Sequence, residues 1–297
     1  MRLKVLHDIY WKIYEGGVSV RSMISPISST KYLYKKRFNK KLNLNNPKSF
    51  NEKIQWLKLN TYNNNPIITQ CADKYAVREF VKEKGCEELL IPLIGVYSNV
   101  NEINWKNLPK QFVLKCNHGC GYNLICTDKD KLNIEEGIKT INKWMKDDYW
   151  KHRAEINYKF IPKKIVIEKF IENNGKQIED YKFYCFNGKV IYTMVCCERE
   201  EKHAKYYFYD RDWNLIPYSK DALRVDENFA ICKPKLLDKA IEYAEILSSP
   251  FPFVRTDLYI LDDKIYFGEL TFTPAGGLDD DLLDGDIEMG KLIKLEL

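Results

Sequence analysis

No run of apolar residues in this sequence reaches the length that a bilayer core demands, which excludes a membrane-spanning helix. Also missing are a GxxxxGK[ST] loop opening a helix and a GxGxxG turn after a strand, so neither common phosphate-binding fingerprint is available. There is no Cys-x-x-Cys knuckle. Cys116, His118, Cys120 and Cys126 lie near one another, but no second ligand pair stands at a matching distance, and zinc is not expected. The nine cysteines, an odd number that includes the adjacent Cys196 and Cys197, do not read as a secreted disulfide framework. The first residues carry His7 and Asp8 where a secretory signal would carry its apolar stretch. A cytoplasmic location, extending to the inner face of the membrane, is therefore expected. No internal repeat or low-complexity tract occurs beyond Asn-rich turns at 43–46 and 63–65.

What is present suits a folded chain of two or three subdomains: 297 residues, 45% hydrophobic and 30% charged. The net charge of +5 is unevenly spread, because Lys31 to Lys41 holds six Lys or Arg residues and no acid. Such a segment favours an anionic partner (nucleic acid, acidic lipid head group or acidic glycan), or it is a solvated helix face.

Hydrophobic spacing predicts helices in the first 60 residues, around Phe50, Ile54, Trp56 and Leu57, and at 73–84, 134–146 and 234–247. Strands are expected at 89–94, 112–116, 124–127, 165–171, 181–186, 189–197 and 206–209. Val254 to Ile260 and Ile265 to Thr271 form a hairpin by pattern. The fold class is α+β with largely antiparallel sheets.

Three stretches carry chemistry. The hairpin sets Asp257 and Glu269 among apolar and aromatic neighbours, with Thr271 on the same face as Glu269, an oxygen-donor set suited to Mg²⁺ and triphosphate. Its alternative reading is the solvent face of an edge hairpin. The second is Lys115, which ends a strand before the Cys116 to Asn123 loop, where Gly119 and Gly121 free backbone N–H groups to fold over phosphates. The third runs from Ile165 through Glu168-Lys169-Phe170-Ile171-Glu172 and Asn173-Asn174-Gly175 to Asp180-Tyr181-Lys182-Phe183. Here backbone and Glu168 can meet an adenine edge, while Asp180 holds ribose hydroxyls.

The order of these motifs, with Asn46-Pro47-Lys48-Ser49-Phe50-Asn51-Glu52-Lys53, Asp73-Lys74-Tyr75-Ala76-Val77-Arg78 and Gly268-Glu269-Leu270-Thr271-Phe272, resembles the ATP-grasp superfamily and, in wording, its TupA-like (teichuronopeptide biosynthesis) branch. The resemblance spans roughly residues 32 to 297. It implies an ATP-grasp fold in which two α+β lobes clasp ATP. The segments expected are a helical appendage for acceptor recognition at 1–60, an α/β subdomain at 61–110, a lobe with phosphate loop and adenine hinge at 111–172, and a metal-bearing lobe at 173–297.

By that resemblance Lys74 and Lys115 contact the α- and β-phosphates, and the Gly119 and Gly121 loop closes over the γ-phosphate. Glu168, Phe170 and Ile171 face adenine, and Asp180, with Lys182 beside it, holds the nucleotide. Asp257, Glu269 and Thr271 bind Mg²⁺, although many members carry Asn where this chain has Thr271. Arg255, Lys115 and His118 are the catalytic candidates. The implied activity is ATP-dependent carboxylate–amine ligation through an acylphosphate, amidating a uronic acid of a bacterial surface polysaccharide. The partners would be a free or glycan carboxylate and an amino acid or other amine. A lipid-linked or nucleotide-linked sugar is an admissible carboxylate, and no nucleic acid is called for. Lys202, His203 and Lys205 would add charge near the site. The rival readings are an ATP-grasp kinase acting on a sugar or glycan hydroxyl, and a non-catalytic module that binds acidic glycan.

Overall fold

The computed structural model describes residues 2–173, 178–197, 204–261 and 263–296, with side chains from residue 13 onward. Asn174, Gly175, Lys202, His203 and Asp262 therefore lie outside the described residues. Helices α1 (Arg2–Ile24) and α2 (Pro26–Phe38) break at Ser25, whose side chain accepts from Ser28 N–H at 3.2 Å while Pro26 starts the new helix. Helix α3 (Phe50–Leu59) opens on a capping box in which Ser49 and Glu52 bond each other's backbone N–H. Its Phe50, Ile54 and Leu57 recur at helical spacing and are almost fully buried.

That burial places α3 in the main core, where Phe50 meets Phe253 edge-on at 4.9 Å. No break in packing falls at residue 60, so an appendage comprising all of 1–60 is not what the chain forms. The 61–110 segment is likewise divided. Helices α4 (Pro66–Ala72) and α5 (Val77–Glu83) bury Ile68, Phe80 and Val81 in the main core, whereas β1 (Leu93–Tyr97) joins a separate small sheet. The helix expected at 73–84 begins only at Val77, because the Asp73 carboxylate accepts from Tyr75 and Ala76 N–H and holds a turn there. The strand expected at 89–94 starts at Leu93, after a 3₁₀ turn at Glu87–Leu89.

The small sheet adds β2 (Phe112–Cys116), β3 (Asn123–Cys126) and β4 (Ile165–Lys169) in the order β1-β4-β2-β3, every pair antiparallel. Helix α6 (Ile134–Lys146) lies against it, and α7 (Trp150–Arg153) follows. Alternation along β2 buries Phe112, Leu114 and Cys116 in this lobe's own core and turns Val113 and Lys115 to the other face.

The large sheet runs β10-β9-β5-β6-β7-β8, again antiparallel throughout. Its strands are β5 (Asp180–Phe186), β6 (Lys189–Cys197), β7 (Lys205–Tyr209), β8 (Leu215–Ile216), β9 (Phe253–Ile260) and β10 (Ile265–Thr271). Lys205 thus begins a strand. Helix α8 (Leu237–Ser248) covers one face, where Cys185 Sγ lies 3.8 Å from both the Ala244 carbonyl and Thr256 Oγ1. By the two-residue alternation of strands, Asp180, Lys182, Tyr184, Arg255, Asp257 and Tyr259 project from the opposite face. Helix α9 (Gly285–Leu292) packs on α3. Among the described residues, no helix is long and apolar enough to cross a membrane.

Candidate functional site

Register assembles the site on that face of the large sheet. Lys182 pairs with Asp257, and a bulge at Gly268 shifts β10 by one residue so that Glu269, not Gly268, stands opposite Asp257. A Cβ on Gly268 would come within 2.9 Å of the Asp257 carbonyl oxygen, so the bulge needs the glycine. The result is a transverse row, Lys182, Asp257, Glu269, beside a second row, Tyr184, Arg255, Thr271.

Asp257 is buried and held by cations on both oxygens. Arg255 donates to Oδ1 and Oδ2 at 2.7 Å each, and Lys182 donates to Oδ2 at 2.7 Å. Burial pushes the Asp257 carboxyl upward from its ordinary value while Arg255 and Lys182 pull it back. Lys182 also donates to Asp180, and although burial alone would lower its ammonium, Asp257 and Asp180 hold it above the usual value. Arg255 donates further to Thr271 Oγ1 at 3.2 Å. Glu269 has Lys74 Nζ at 3.3 Å; burial opposes ionisation, yet Lys74, Lys182 and Arg255 hold the carboxyl down to about 2.

The other side of the cleft comes from the small lobe. Lys115 Nζ donates to Glu168 Oε2 at 2.8 Å, and Arg78 donates to Glu168 Oε1 at 3.0 Å. Lys74 Nζ also donates to the Gly119 carbonyl at 2.8 Å, tying α5's leading turn to the glycine loop. Buried Asn117 fixes that loop, donating to Asp73 at 2.8 Å and accepting from Lys164 N–H at 2.6 Å. Gly119 has no room for a side chain, since a Cβ would lie 2.7 Å from Tyr149, and Gly121 turns the chain at φ +78°.

Two cavities flank this centre. A cleft of about 620 Å³ is lined by apolar Val113, Ile125, Phe170 and Ile171 and by Tyr259, with Lys115 and Glu168 among its walls. A second cavity of about 370 Å³ is lined by Lys182, Arg255, Glu269 and Thr271 and by Tyr149, Tyr158, Tyr184 and Tyr206. The first combines apolar residues with Lys115 and Glu168, and the second is polar and aromatic.

The structure places Lys115, Glu168, Phe170 and Ile171 on the first cavity and Lys182, Arg255, Glu269 and Thr271 on the second, with Asp180 and Asp257 ion-paired to Lys182 and Lys74 to Glu269. Two assignments change. His118 is 2% exposed, packs against Tyr122 and hydrogen-bonds the Trp144 carbonyl at 3.1 Å, and burial lowers its pKa. It is a neutral interior group that holds the loop to α6, so it has no place as a catalytic residue. Glu168 lines the cleft, but both its oxygens are engaged by Lys115 and Arg78; it orients Lys115 and does not offer a free acceptor to adenine. Arg78 was missed, although it ends a motif that the sequence displays.

The donor set can be tested against a divalent cation. Among the described residues no group of three His, Cys, Asp or Glu side chains could hold a metal alone. Mg²⁺ does not require one, because it commonly takes one or two carboxylates and completes its shell with water and substrate phosphates. Glu269, with Lys74 as its near cation, fits that pattern; Asp257 stands beside it in register, but Arg255 and Lys182 take both its oxygens, so Asp257 would bind the ion only by giving up one of those bonds.

A family model described as "TupA-like ATPgrasp" matches residues 52–294. Among solved structures, similarity is found to a D-alanine–D-alanine ligase from Bacillus anthracis complexed with ATP, at 16% identity and TM-score 0.47, over 74% of this chain and 61% of that one. A D-alanyl-alanine synthetase A from Vibrio cholerae is similar at 13% identity and TM-score 0.44, over 74% and 61%. The D-cycloserine synthetase DcsG is similar at 13% identity and TM-score 0.42, over 76% and 70%. The chain spans about three-fifths of the length of the Bacillus anthracis ligase (61%). No curated protein sequence matches.

Proposed function

We propose that this chain, which belongs to the TupA-like ATP-grasp family, is an ATP-dependent carboxylate–amine ligase acting through an acylphosphate. The observation that carries this reading is the transverse row Lys182, Asp257, Glu269, faced by Lys74 and standing between a base-sized cleft and a tyrosine-walled cavity. Cations and hard oxygen donors meet where a triphosphate bound in the first cleft would end, and the second cavity opens at the same place.

In this reading the adenine lies between Val113, Ile125, Phe170 and Ile171, and Asp180 holds the ribose. Lys115, kept in place by Glu168, and Lys74 contact the phosphates. Asp257 and Glu269, with Thr271, hold Mg²⁺, which would supply charge neutralisation on the phosphate oxygens. Arg255 is clamped by two bonds to Asp257, so it meets developing charge without reorganising. The substrate carboxylate takes the γ-phosphate in line, and an amine then displaces phosphate from the acyl carbon. Fixed placement and electrostatics supply most of the barrier lowering, and no nucleophile from the protein is needed.

For the carboxylate, a uronic acid of a surface polysaccharide is the reading that the basic N-terminal helices favour. Arg153 lines both the second cavity and a neighbouring groove of about 450 Å³ that also contains Lys36, Arg37 and His152. Glu15 also lines this groove and Arg37 is paired with Asp280, but Lys36 and Arg153 leave basic groups that suit an anionic sugar chain longer than one unit. The test is ADP and phosphate release with glucuronate and galacturonate, as monomers and oligomers, against pooled amines, followed by mass spectrometry of the product. A mass increase corresponding to an amide supports the ligase. ADP release with a phosphorylated sugar and no requirement for amine would replace it by a kinase.

A further inference from the structure

The second cavity contains a carboxylate that phosphoryl transfer does not use. Glu155 is 3% exposed and lines the cavity. Its Oε1 accepts from Thr273 Oγ1 at 2.7 Å, while Oε2 is buried without a hydrogen-bond partner. An unsatisfied buried acceptor costs on the order of 1–3 kcal/mol, and in a native fold it asks for a reason.

The backbone is shaped to put Glu155 there. Ala154 closes α7 at φ 52°, a left-handed conformation that disfavours a residue with a Cβ. The turn is sealed by Glu155 N–H donating to the Trp150 carbonyl at 2.9 Å. Beneath it, fully buried Lys58 donates to the Arg153 carbonyl at 2.9 Å and offsets the negative charge of Glu155 through space. Lys58 thus lies near the carboxylate while Oε2 keeps no hydrogen-bond partner.

Position relative to the reacting centre follows from what lies between. Tyr158 and Cys120 line the cavity too, and both feel the negative charges of Glu155 and Glu269. Thr273, the donor to Glu155, stands two residues after Thr271 on the metal-bearing strand. Tyr149, Tyr158, Tyr184 and Tyr206 line the cavity, and aromatic rings can attract a cation.

We propose that Glu155 receives the ammonium group of the amine substrate and takes a proton from it, a role that rests on the ligase reading above. The ammonium gives one proton to Glu155, and the freed lone pair forms the C–N bond as the C–O bond to phosphate breaks. Phosphate departs with that electron pair, and the remaining excess proton on nitrogen passes to the phosphate.

The test separates nucleophiles that need this service from one that does not. Hydroxylamine is largely uncharged at neutral pH and traps an acylphosphate as a hydroxamate. Glu155→Gln, an isosteric change, is expected to leave hydroxamate formation unchanged and to lower ligation of an ammonium substrate on the order of 10²-fold, with KM for the amine rising. Equal loss with both nucleophiles would overturn the proposal. A crystal of the wild-type protein soaked in methylammonium should show its nitrogen in contact with Glu155 Oε2, and Glu155→Gln should lose it. Methylammonium bound elsewhere, or absent, would also overturn it. Wild-type protein giving no hydroxamate from any carboxylate would remove the ligase reading instead, and the methylammonium structure would then decide the role of Glu155 alone.

Discussion

Lys74 and Glu269 meet across the cleft at 3.3 Å, and the same ammonium donates at 2.8 Å to the carbonyl of Gly119, so one lysine joins the Asp257–Glu269 hairpin to the glycine loop. The two lobes thus share a contact that the phosphates of the proposed nucleotide would rearrange. Lys74→Ala is expected to reduce ADP formation by about 10²-fold. Its thermal unfolding temperature should fall as well, since Glu269 loses its nearest cation and the Gly119 carbonyl its donor. Steady-state ADP release with parallel calorimetry checks both halves.

Lys115 is held by Glu168, which Arg78 holds in turn. Lys115→Ala should leave the Glu168–Arg78 pair intact and weaken nucleotide affinity about tenfold. Arg78→Ala should weaken it less, through loss of Lys115 placement. Titration calorimetry with a non-hydrolysable ATP analogue measures each, and an unchanged Kd for Lys115→Ala would remove its phosphate role.

Asp257 and Glu269 should behave differently when neutralised. Asp257→Asn leaves Arg255 and Lys182 buried without their shared anion, and is expected to cost about 3 kcal/mol of stability as well as activity. Glu269 is partly open to the cleft, so Glu269→Gln should abolish ADP formation while the protein remains folded. Urea unfolding beside the activity assay distinguishes the two.

Lys58 supplies a pH test. Burial holds its ammonium down to about 8 from an ordinary 10.5. Between these values the unfolded chain keeps a proton that the folded chain has lost, so stability rises with pH there, by up to roughly 1.4 kcal/mol per pH unit. Below about 8 both states are protonated and this lysine adds no slope. Compared with Lys58→Met, the wild type should therefore gain stability as pH is raised from 8 toward 10, read by urea unfolding at each pH. A constant difference would mean that Lys58 titrates normally.

The hairpin of Asp257 and Glu269 was legible in the sequence because strand alternation and a charged pair among apolar residues are local signals. Their exact juxtaposition was not, since it depends on the Gly268 bulge that moves Glu269 opposite Asp257. The order of motifs made the two-lobed clasp readable. It could not say that α3 belongs to the core, because Phe50 finds Phe253 across about two hundred residues of chain. His118 was misread for a related reason: a histidine in a glycine loop gives no local sign that Trp144 and Tyr122 will enclose it. Glu155 carried no motif at all, and only its buried unpartnered oxygen beside a cavity marks it.

The proposed function requires Lys74, Lys115, Asp257 and Glu269 to grip one magnesium nucleotide, which a crystal structure with an ATP analogue and Mg²⁺ would reveal. The base is expected between Val113 and Phe170, the phosphates on Lys74 and Lys115, and the metal at Asp257 and Glu269. A nucleotide bound elsewhere, or a metal that touches neither carboxylate, would contradict it.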